Sequence, residues 1–150
     1  MNQISLHSPI GDLTVFEDAG AIISLDWGWV PEQDTSPTLK EAQRQLNDYF
    51  DGRLSAFNLQ LNPYGTEFQK QVWRGLEKIP KGSTLSYGQL AKNINSHPRA
   101  VGGACGKNPI PIIIPCHRVL ASNGAIGGYS GDGGVETKAQ LLTLEGALKP

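Results

Sequence analysis

The sequence contains little cysteine and no long apolar run. Only Cys105 and Cys116 occur among 150 residues, too few for a disulfide framework or a four-thiolate zinc site. No stretch predicts a transmembrane helix, and residues 1–4 do not begin a basic segment followed by an apolar one. No nucleotide-binding loop or cofactor motif is visible. The sequence therefore predicts a soluble, unexported, cytoplasmic protein without metal or cofactor.

Charge is distributed unevenly along the chain, although the net charge is only -1. Residues 1–64 carry three basic and nine acidic groups, whereas residues 65–150 carry ten basic and five acidic groups. Such an imbalance is typical of a protein that binds a polyanion with its basic part. Charge alone leaves open the alternative of an ordinary solvated surface.

The N-terminal part has the pattern of strands followed by a helix. Two short β-prone segments, at 13–16 and 22–25, are separated by a turn sequence at 18–20, which predicts a hairpin. Ser36 can cap a helix that starts at Pro37.

The remainder of the chain is predicted to be mostly helical. Thr66 and Ser86 are each followed by a glutamine three residues later, the pattern of a capping box. Pro98 suits the first position of a further helix after a tight turn, which predicts a helix-turn-helix. The predicted fold class is α/β, with a small N-terminal α/β domain with an antiparallel sheet at 1–63 and a mostly helical domain at 64–150.

The second helix of this predicted pair is unusually rich in small residues. Each interior glycine costs about 1 kcal/mol relative to alanine, so the small residues need another reason. A face of Ala100, Gly103 and Ala104 would allow close approach either to the protein's own core or to a DNA minor groove, which is only about 6 Å wide. Arg99 and Lys107, near the two ends, could then reach phosphates or the base stack.

A cysteine, a histidine and an arginine follow the apolar residues 112–114 and a proline. A free thiol, with a pKa of about 8.5, is only a few per cent ionised at neutral pH. His117 could accept its proton, and nearby positive charge could stabilise the anion. These residues predict an activated thiolate of Cys116 at the end of a strand. The alternative is a cysteine that is simply a small buried apolar residue.

Taken together and in order, these motifs resemble the O6-alkylguanine-DNA alkyltransferase family. The resemblance is close over residues 64–146, whereas residues 1–63 are similar only in outline to that family's variable N-terminal α/β domain. The matching segments are Gly65-Thr66-Glu67-Phe68-Gln69, Val72-Trp73, Ser86-Tyr87-Gly88-Gln89-Leu90-Ala91, Arg99-Ala100-Val101-Gly102, Asn108-Pro109, Ile114-Pro115-Cys116-His117-Arg118-Val119, Gly128-Tyr129-Ser130-Gly131 and Leu144-Glu145-Gly146.

The resemblance implies DNA repair by an irreversible, single-turnover transfer of a methyl or alkyl group from O6-alkylguanine, with O4-alkylthymine as a second candidate substrate. Cys116 would be the acceptor. His117 would deprotonate it through a water molecule, and Glu145 would orient the imidazole. Asn108 would brace the active-site turn, and Tyr87 would give a proton or a hydrogen bond to the departing guanine.

The resemblance also implies that the protein binds double-stranded DNA as a monomer through the minor groove. The target base would be flipped out so that the thiolate attacks in line, and Arg99 would fill the vacated place. The predicted DNA-contacting residues are Arg99, Ala100, Gly103, Ala104, Lys107 and Arg118, and the predicted pocket residues are Tyr87, Val119, Tyr129 and Ser130.

The sequence departs from the family pattern in several places, among them Gln140, where an aromatic residue is common, and Leu144, where a histidine is common. The turn before Pro98 is two residues short, and residues 131–138 include extra residues, which leaves the tolerance of bulky alkyl groups open. Two other classes of protein share part of this pattern. Relatives that bind alkylguanine without removing it lack the acceptor thiol, unlike this chain. A helix-turn-helix regulator would usually read the major groove with polar side chains, whereas residues 99–108 offer small ones.

Overall fold

A computed structural model describes residues 1–149 of the chain. It divides into two compact units, the first from Met1 to Tyr64 and the second beginning at Gly65. Within the described residues, no helix is both long enough and apolar enough to cross a membrane.

The N-terminal unit contains a three-stranded antiparallel sheet and one helix. Strands β1 (Asn2–Leu6), β2 (Leu13–Asp18) and β3 (Ala21–Trp27) lie in sequence order. Ala19 and Gly20 both have positive φ, 51° and 85°, as a tight turn compatible with strand twist requires. The predicted hairpin is confirmed.

The helix of this unit, α1, spans Pro37–Phe50. Ser36 caps it, since its hydroxyl accepts a hydrogen bond from the Leu39 amide at 3.2 Å, and Pro37 occupies its first turn, as predicted. Leu39 and Leu46 are fully buried on the helix face that packs against the sheet.

The second unit is mainly helical. Its elements are α2 (Glu67–Glu77), α3 (Tyr87–Asn93), α4 (Pro98–Gly106), α5 (Gly134–Leu144), a 3-10 turn at Cys116–Arg118, and two short parallel strands, β4 (Leu85–Ser86) and β5 (Val119–Leu120). The predicted α/β fold class, with an N-terminal antiparallel sheet, is confirmed.

Two capping boxes start the first two of these helices. The Thr66 hydroxyl accepts from the Gln69 amide at 3.1 Å, and the Gln69 side chain accepts from the Thr66 amide at 3.0 Å. Ser86 and Gln89 make the same reciprocal pair at 3.0 and 2.8 Å. These short-range bonds confirm the helix starts that the sequence predicts.

Trp73 joins α2 to α4 in the core of this unit. Its ring is buried, and its indole nitrogen donates to the carbonyl of Ala104 at 2.9 Å. The chain passes the ring so closely at Gly65 that a side chain there would collide with it. Helix α4 is thereby fixed with one side against the core, which decides which of its residues remain exposed.

The apolar run before Cys116 is a buried turn and not the predicted strand. Ile112 has a φ of 74°, which is an outlier for a β-branched residue. The Ile114 amide donates to the Ile110 carbonyl at 2.9 Å. Asn108 holds this turn with both ends of its side chain, because its amide donates to the Ile114 carbonyl at 2.8 Å and its oxygen accepts from the Ile110 amide at 3.0 Å.

Candidate active site

Cys116 lies on the wall of a cavity of about 190 Å³ in the second unit. The cavity is lined by Tyr87, Gly102, Cys105, Gly106, Cys116, Gly128, Tyr129 and Ser130. Its volume is below the roughly 300–1,000 Å³ typical of pockets for drug-sized ligands, so it suits one small ligand. The structure thus brings the thiol together with three of the predicted pocket residues, Tyr87, Tyr129 and Ser130.

The imidazole of His117 is fully buried and held by Glu145. Its Nε2 lies 2.7 Å from Oε2 of Glu145. Because an ionised carboxylate only accepts, Nε2 carries the proton of the neutral ring and Nδ1 has a free lone pair. Nδ1 is buried and makes no hydrogen bond with any residue that the structure describes. His117 can therefore accept a proton at Nδ1.

Arg118 lies in the interior, and the prediction that it contacts DNA is wrong. Its Nε and Nη2 donate to the two oxygens of Glu145, both at 2.9 Å, and its Nη1 donates to the carbonyl of Ile79 at 2.6 Å. This two-point pair fixes the plane of the carboxylate. Arg118 thereby orients the group that orients His117.

Burial sets the resting protonation state of the two reactive groups. It raises the pKa of Cys116, although the Asn108 side-chain hydrogen bond and the charge of Lys138 act in the opposite direction. Burial also lowers the pKa of His117 against the opposing effect of Glu145. At neutral pH the pair is a thiol beside a neutral imidazole, so the thiolate predicted from the sequence must be generated by removal of the proton.

The two tyrosines of the cavity keep their protons. Burial, and then the nearby Cys105 and Cys116, raise the pKa of Tyr87, the first residue of α3. Burial likewise raises the pKa of Tyr129. Both phenols are therefore available as hydrogen-bond donors at neutral pH.

Lys138 is a site residue that the sequence analysis misses. This lysine of α5 is fully buried, which is uncommon for an unpaired charge. Its Nζ donates to the carbonyls of Val119 at 2.7 Å and Gly128 at 3.1 Å. Its position in the sequence could have indicated this role. Lys138 lies two helical turns before Glu145, so the two side chains are on one face of the helix.

The same contact involves Val119, a predicted pocket residue. Its side chain is fully buried, and its carbonyl, predicted to line the base pocket, accepts from Lys138. Val119 is not among the residues that line the cavity, and contact of its backbone with a bound base stays a prediction.

Helix α4 presents a narrow exposed face of small residues between two cations. Arg99, Ala100, Gly103 and Lys107 are exposed. Ala104, predicted to contact DNA with them, is only 4% exposed and lies at the core-facing edge of this face. The physical reason is packing and not the helical period, because Ala104 lies beside the buried Val101 and Cys105 and its carbonyl accepts from the buried Trp73 indole of α2.

No cluster suited to a metal ion occurs in the part of the chain that the structure describes, because no three or more His, Cys, Asp or Glu side chains converge.

Two family models match this chain and together cover most of it. One, described as 6-O-methylguanine DNA methyltransferase, DNA binding domain, matches residues 67–147. The other, described as 6-O-methylguanine DNA methyltransferase, ribonuclease-like domain, matches residues 1–63.

Individual proteins show the same similarity. A methylated-DNA–protein-cysteine methyltransferase of Methanosarcina acetivorans is 42% identical over 154 residues, covering 94% of this chain and 96% of that protein. The constitutive enzyme of Bacillus subtilis with the same description is 40% identical, covering 93% and 92%. A crystal structure of Mycobacterium tuberculosis OGT in complex with DNA superposes with a TM-score of 0.88 at 39% identity, covering 98% and 94%. The chain belongs to the 6-O-methylguanine DNA methyltransferase family.

Proposed function

We propose that this protein repairs DNA by moving a methyl or other alkyl group from guanine O6 in double-stranded DNA to Cys116. The observation that supports this most directly is the cavity itself. It presents a buried thiol, and the next residue in the chain, His117, has an unprotonated and unpaired nitrogen. O4-alkylthymine is a second candidate substrate. The chemistry needs no cofactor or metal.

The first step of the proposed mechanism is loss of the thiol proton. It passes from Sγ of Cys116, through a water molecule, to Nδ1 of His117, and the S–H electron pair stays on sulfur. The imidazolium that forms is stabilised by Glu145, whose carboxylate is 2.7 Å from Nε2. Arg118 keeps that carboxylate in plane. The three groups act as a nucleophile, a base and a carboxylate that orients the base.

The second step is an in-line displacement at the alkyl carbon. The sulfur–carbon bond forms while the carbon–O6 bond breaks, and its electron pair goes to the guanine. Tyr87, a protonated phenol on the cavity wall, donates a proton or a hydrogen bond to the departing base. Asn108 holds the backbone turn that presents Cys116. Since a thioether is not cleaved by water, each molecule acts once.

The proposed DNA surface is the exposed face of α4. Its small residues, Ala100 and Gly103, permit close approach to a minor groove, and Arg99 and Lys107 carry positive charge at its edges. Arg99 would fill the space left by the flipped base. Few of these groups can read base edges, so we propose binding that depends little on sequence.

We further propose that the chain comprises two domains, 1–63 and 64–150, and acts as a monomer. Every group used in the mechanism comes from one chain and from the second of these domains. We place the protein in the cytoplasm, because a reducing compartment keeps Cys116 in the thiol form.

Intact-protein mass spectrometry after incubation with duplex DNA that contains O6-methylguanine tests the proposal. A gain of about 14 daltons on Cys116 is expected, with a plateau near one methyl group per molecule under excess DNA. Cys116→Ala should bind the same duplex and gain no mass. Binding without mass gain by the wild-type protein would favour a recognition module, and preference for one unmodified sequence would favour a regulator. Multiple turnovers would contradict the single-use mechanism.

A further inference from the structure

Arg99 lies in the first turn of α4, and this turn contains no buried side chain. Residues 97–100 are all exposed, and Val101, which is fully buried, is the first residue of the helix that is anchored in the core. An exposed turn gains nothing from burial, so its conformation depends on local hydrogen bonds and backbone preferences. The position of the Arg99 side chain therefore depends on what stabilises the start of this helix.

Helix α4 has little intrinsic stability. Its nine residues include Gly102, Gly103 and Gly106, and glycine weakens a helix relative to alanine. A helix this short is marginal in water unless packing or capping supports it. Packing supports α4 only from Val101 onward, so the first turn would fray unless it is capped.

His97 caps this turn with two of its groups. Its backbone carbonyl accepts from the Val101 amide at 3.0 Å, which closes the first turn. Its side-chain Nδ1 accepts from the Arg99 amide at 3.2 Å, one of the N–H groups that have no partner within a helix. Pro98, between the two residues, has a fixed φ that suits the first helical position. The backbone of Arg99 is thus bonded directly to the imidazole.

The connection before His97 is short and serves the preceding helix. Only residues 94–97 separate α3 from α4. The amides of Asn95 and Ser96 donate back to the carbonyls of Lys92 and Ala91, at 3.2 and 2.8 Å, where they end α3. Position 97 is therefore the one from which a side chain caps α4. Histidine differs from the serine, threonine, aspartate and asparagine preferred there.

We propose that His97 is a positioning residue for Arg99: its imidazole fixes the first turn of α4, so that Arg99 is already oriented when a base leaves the duplex. This inference rests on the proposed function, in which Arg99 fills the vacated space. No covalent bond forms or breaks at His97. Because the turn is ordered before DNA binds, the cap should assist reaction with duplex DNA and leave the chemistry of Cys116 unaffected.

Three variants test the proposal in single-turnover transfer from duplex DNA that contains O6-methylguanine. His97→Ala removes the side-chain acceptor, whereas His97→Asn replaces it with a preferred capping side chain. Ser36→Ala is the matched control, because Ser36 caps α1 in the N-terminal unit with a bond of the same length, 3.2 Å. The rate of Cys116 alkylation by iodoacetamide without DNA reports whether the active site is intact.

Transfer from duplex should be roughly three- to tenfold slower in His97→Ala and close to the wild-type rate in His97→Asn. Ser36→Ala should leave transfer unchanged although it removes a comparable cap, and iodoacetamide should react equally with all three variants. Unchanged transfer by His97→Ala would overturn the proposal, as would an equal decrease in its iodoacetamide reaction. Failure of asparagine to restore transfer would also overturn it and would indicate direct contact of the imidazole with DNA.

A double-mutant cycle determines whether His97 acts through Arg99. In protein that already carries Arg99→Ala, the change His97→Ala should cause no further decrease in transfer from duplex. A further decrease as large as in the wild-type background would show that the imidazole acts independently of Arg99, which would overturn the proposal.

Amide hydrogen exchange measures the turn itself in DNA-free protein. The Arg99 and Val101 amides should exchange about threefold faster or more in His97→Ala and at the wild-type rate in His97→Asn. Unchanged exchange in His97→Ala would contradict the proposal. Failure of the wild-type protein to transfer methyl groups would instead refute the proposed function, while the exchange rates would still decide whether His97 fixes the first turn of α4.

Discussion

In the N-terminal unit, Arg44 makes its ion pairs on the surface of α1, whereas in the C-terminal unit Arg118 makes its pair in the interior. Arg44 reaches Glu41 at 2.6 Å and Asp48 at 3.1 Å, and its side chain is 59% exposed. Arg118 reaches Glu145 at 2.9 Å, and that carboxylate is fully buried. The distances are similar, but water screens only the first group.

The difference shows how burial changes what a charge can do. Exposed pairs lose most of their strength to solvent and side-chain entropy, and many contribute little to stability. A buried pair is expensive to assemble, and removal of one partner leaves an uncompensated charge. Such a cluster persists beside Cys116, where it determines which atom of His117 carries the proton. The burial of charged groups therefore indicates the position of the active site better than the length of their ion pairs does.

The sharpest test of this comparison is Glu145→Gln. The amide would replace one of the two acceptor oxygens that face His117 Nε2 and the Arg118 guanidinium with an NH2 donor, so the three donors could no longer all be paired. We expect a loss of about 3–5 kcal/mol in the free energy of unfolding and roughly 10²- to 10⁴-fold slower single-turnover transfer. Urea unfolding and a quenched transfer assay measure the two effects.

The control for that experiment is Glu136→Gln, at an exposed position in the first turn of the same helix, α5. This substitution should change the free energy of unfolding only slightly and should leave the rate of transfer unchanged. If both glutamine variants behaved alike, the buried carboxylate would have no special role, and the contrast between the two units would fail.

Local features of the fold could be predicted from the sequence because their causes are local. The capping boxes of Thr66 and Ser86 each involve residues three apart. The hairpin around Gly20 needs only two neighbouring strands and a turn with positive φ. Such contacts are formed within one stretch of chain, where propensity and spacing act directly.

The features that sequence reasoning missed depend on contacts between distant segments. Lys138 binds carbonyls 10 and 19 residues away, and Arg118 binds a carboxylate 27 residues away. The side on which Ala104 lies follows from packing around Trp73, 31 residues earlier. The φ of Ile112 is sustained by burial and by Asn108. None of these partners is visible in a hydrophobic pattern, and the pairing of His117 with Glu145 was predicted only through the family resemblance.

Acidification should weaken the buried cluster before it affects the surface pair of Glu41 and Arg44, because the pKa of Glu41 is about 2. Burial lowers the pKa of His117 below its usual value near 6.5, so the unfolded chain binds this proton more readily than the folded one. The associated stability is present above about pH 6.5 and is lost as the pH falls through the lowered pKa. Transfer should slow over the same range because the imidazole can no longer accept a proton.

The pH dependence of the single-turnover rate measures this directly. The acid limb of the rate profile should have a midpoint below about pH 6.5. The free energy of unfolding, measured with urea, should fall by up to about 1.4 kcal/mol per pH unit because of this group. His117→Gln should flatten that part of the unfolding profile. An acid limb centred well above pH 6.5 would contradict a neutral, buried imidazole as the resting base.

Arg99→Ala tests a cation that is exposed yet expected to matter. Its proposed role exists only when a base is flipped, so repair of duplex DNA should slow by roughly tenfold or more. Reaction with free O6-benzylguanine should change less. Arg74→Ala, an exposed cation on α2, is the control for loss of general attraction to phosphate. Equal decreases in reaction rate with duplex and with free base would refute the stacking role. Arg99 would then be an ordinary exposed surface charge.

The smallest effect is expected for Arg44→Ala, which removes the centre of the surface cluster on α1. Arg44 holds the pKa of Glu41 at about 2, which taken alone suggests a strong interaction. Glu41 is nevertheless 42% exposed and Arg44 more so, and solvent screening offsets most of this attraction. We expect a melting temperature within experimental error of wild type, no further change on adding salt, and unchanged transfer. A drop in melting temperature that approaches that of Glu145→Gln would show that proximity outweighs burial in this protein.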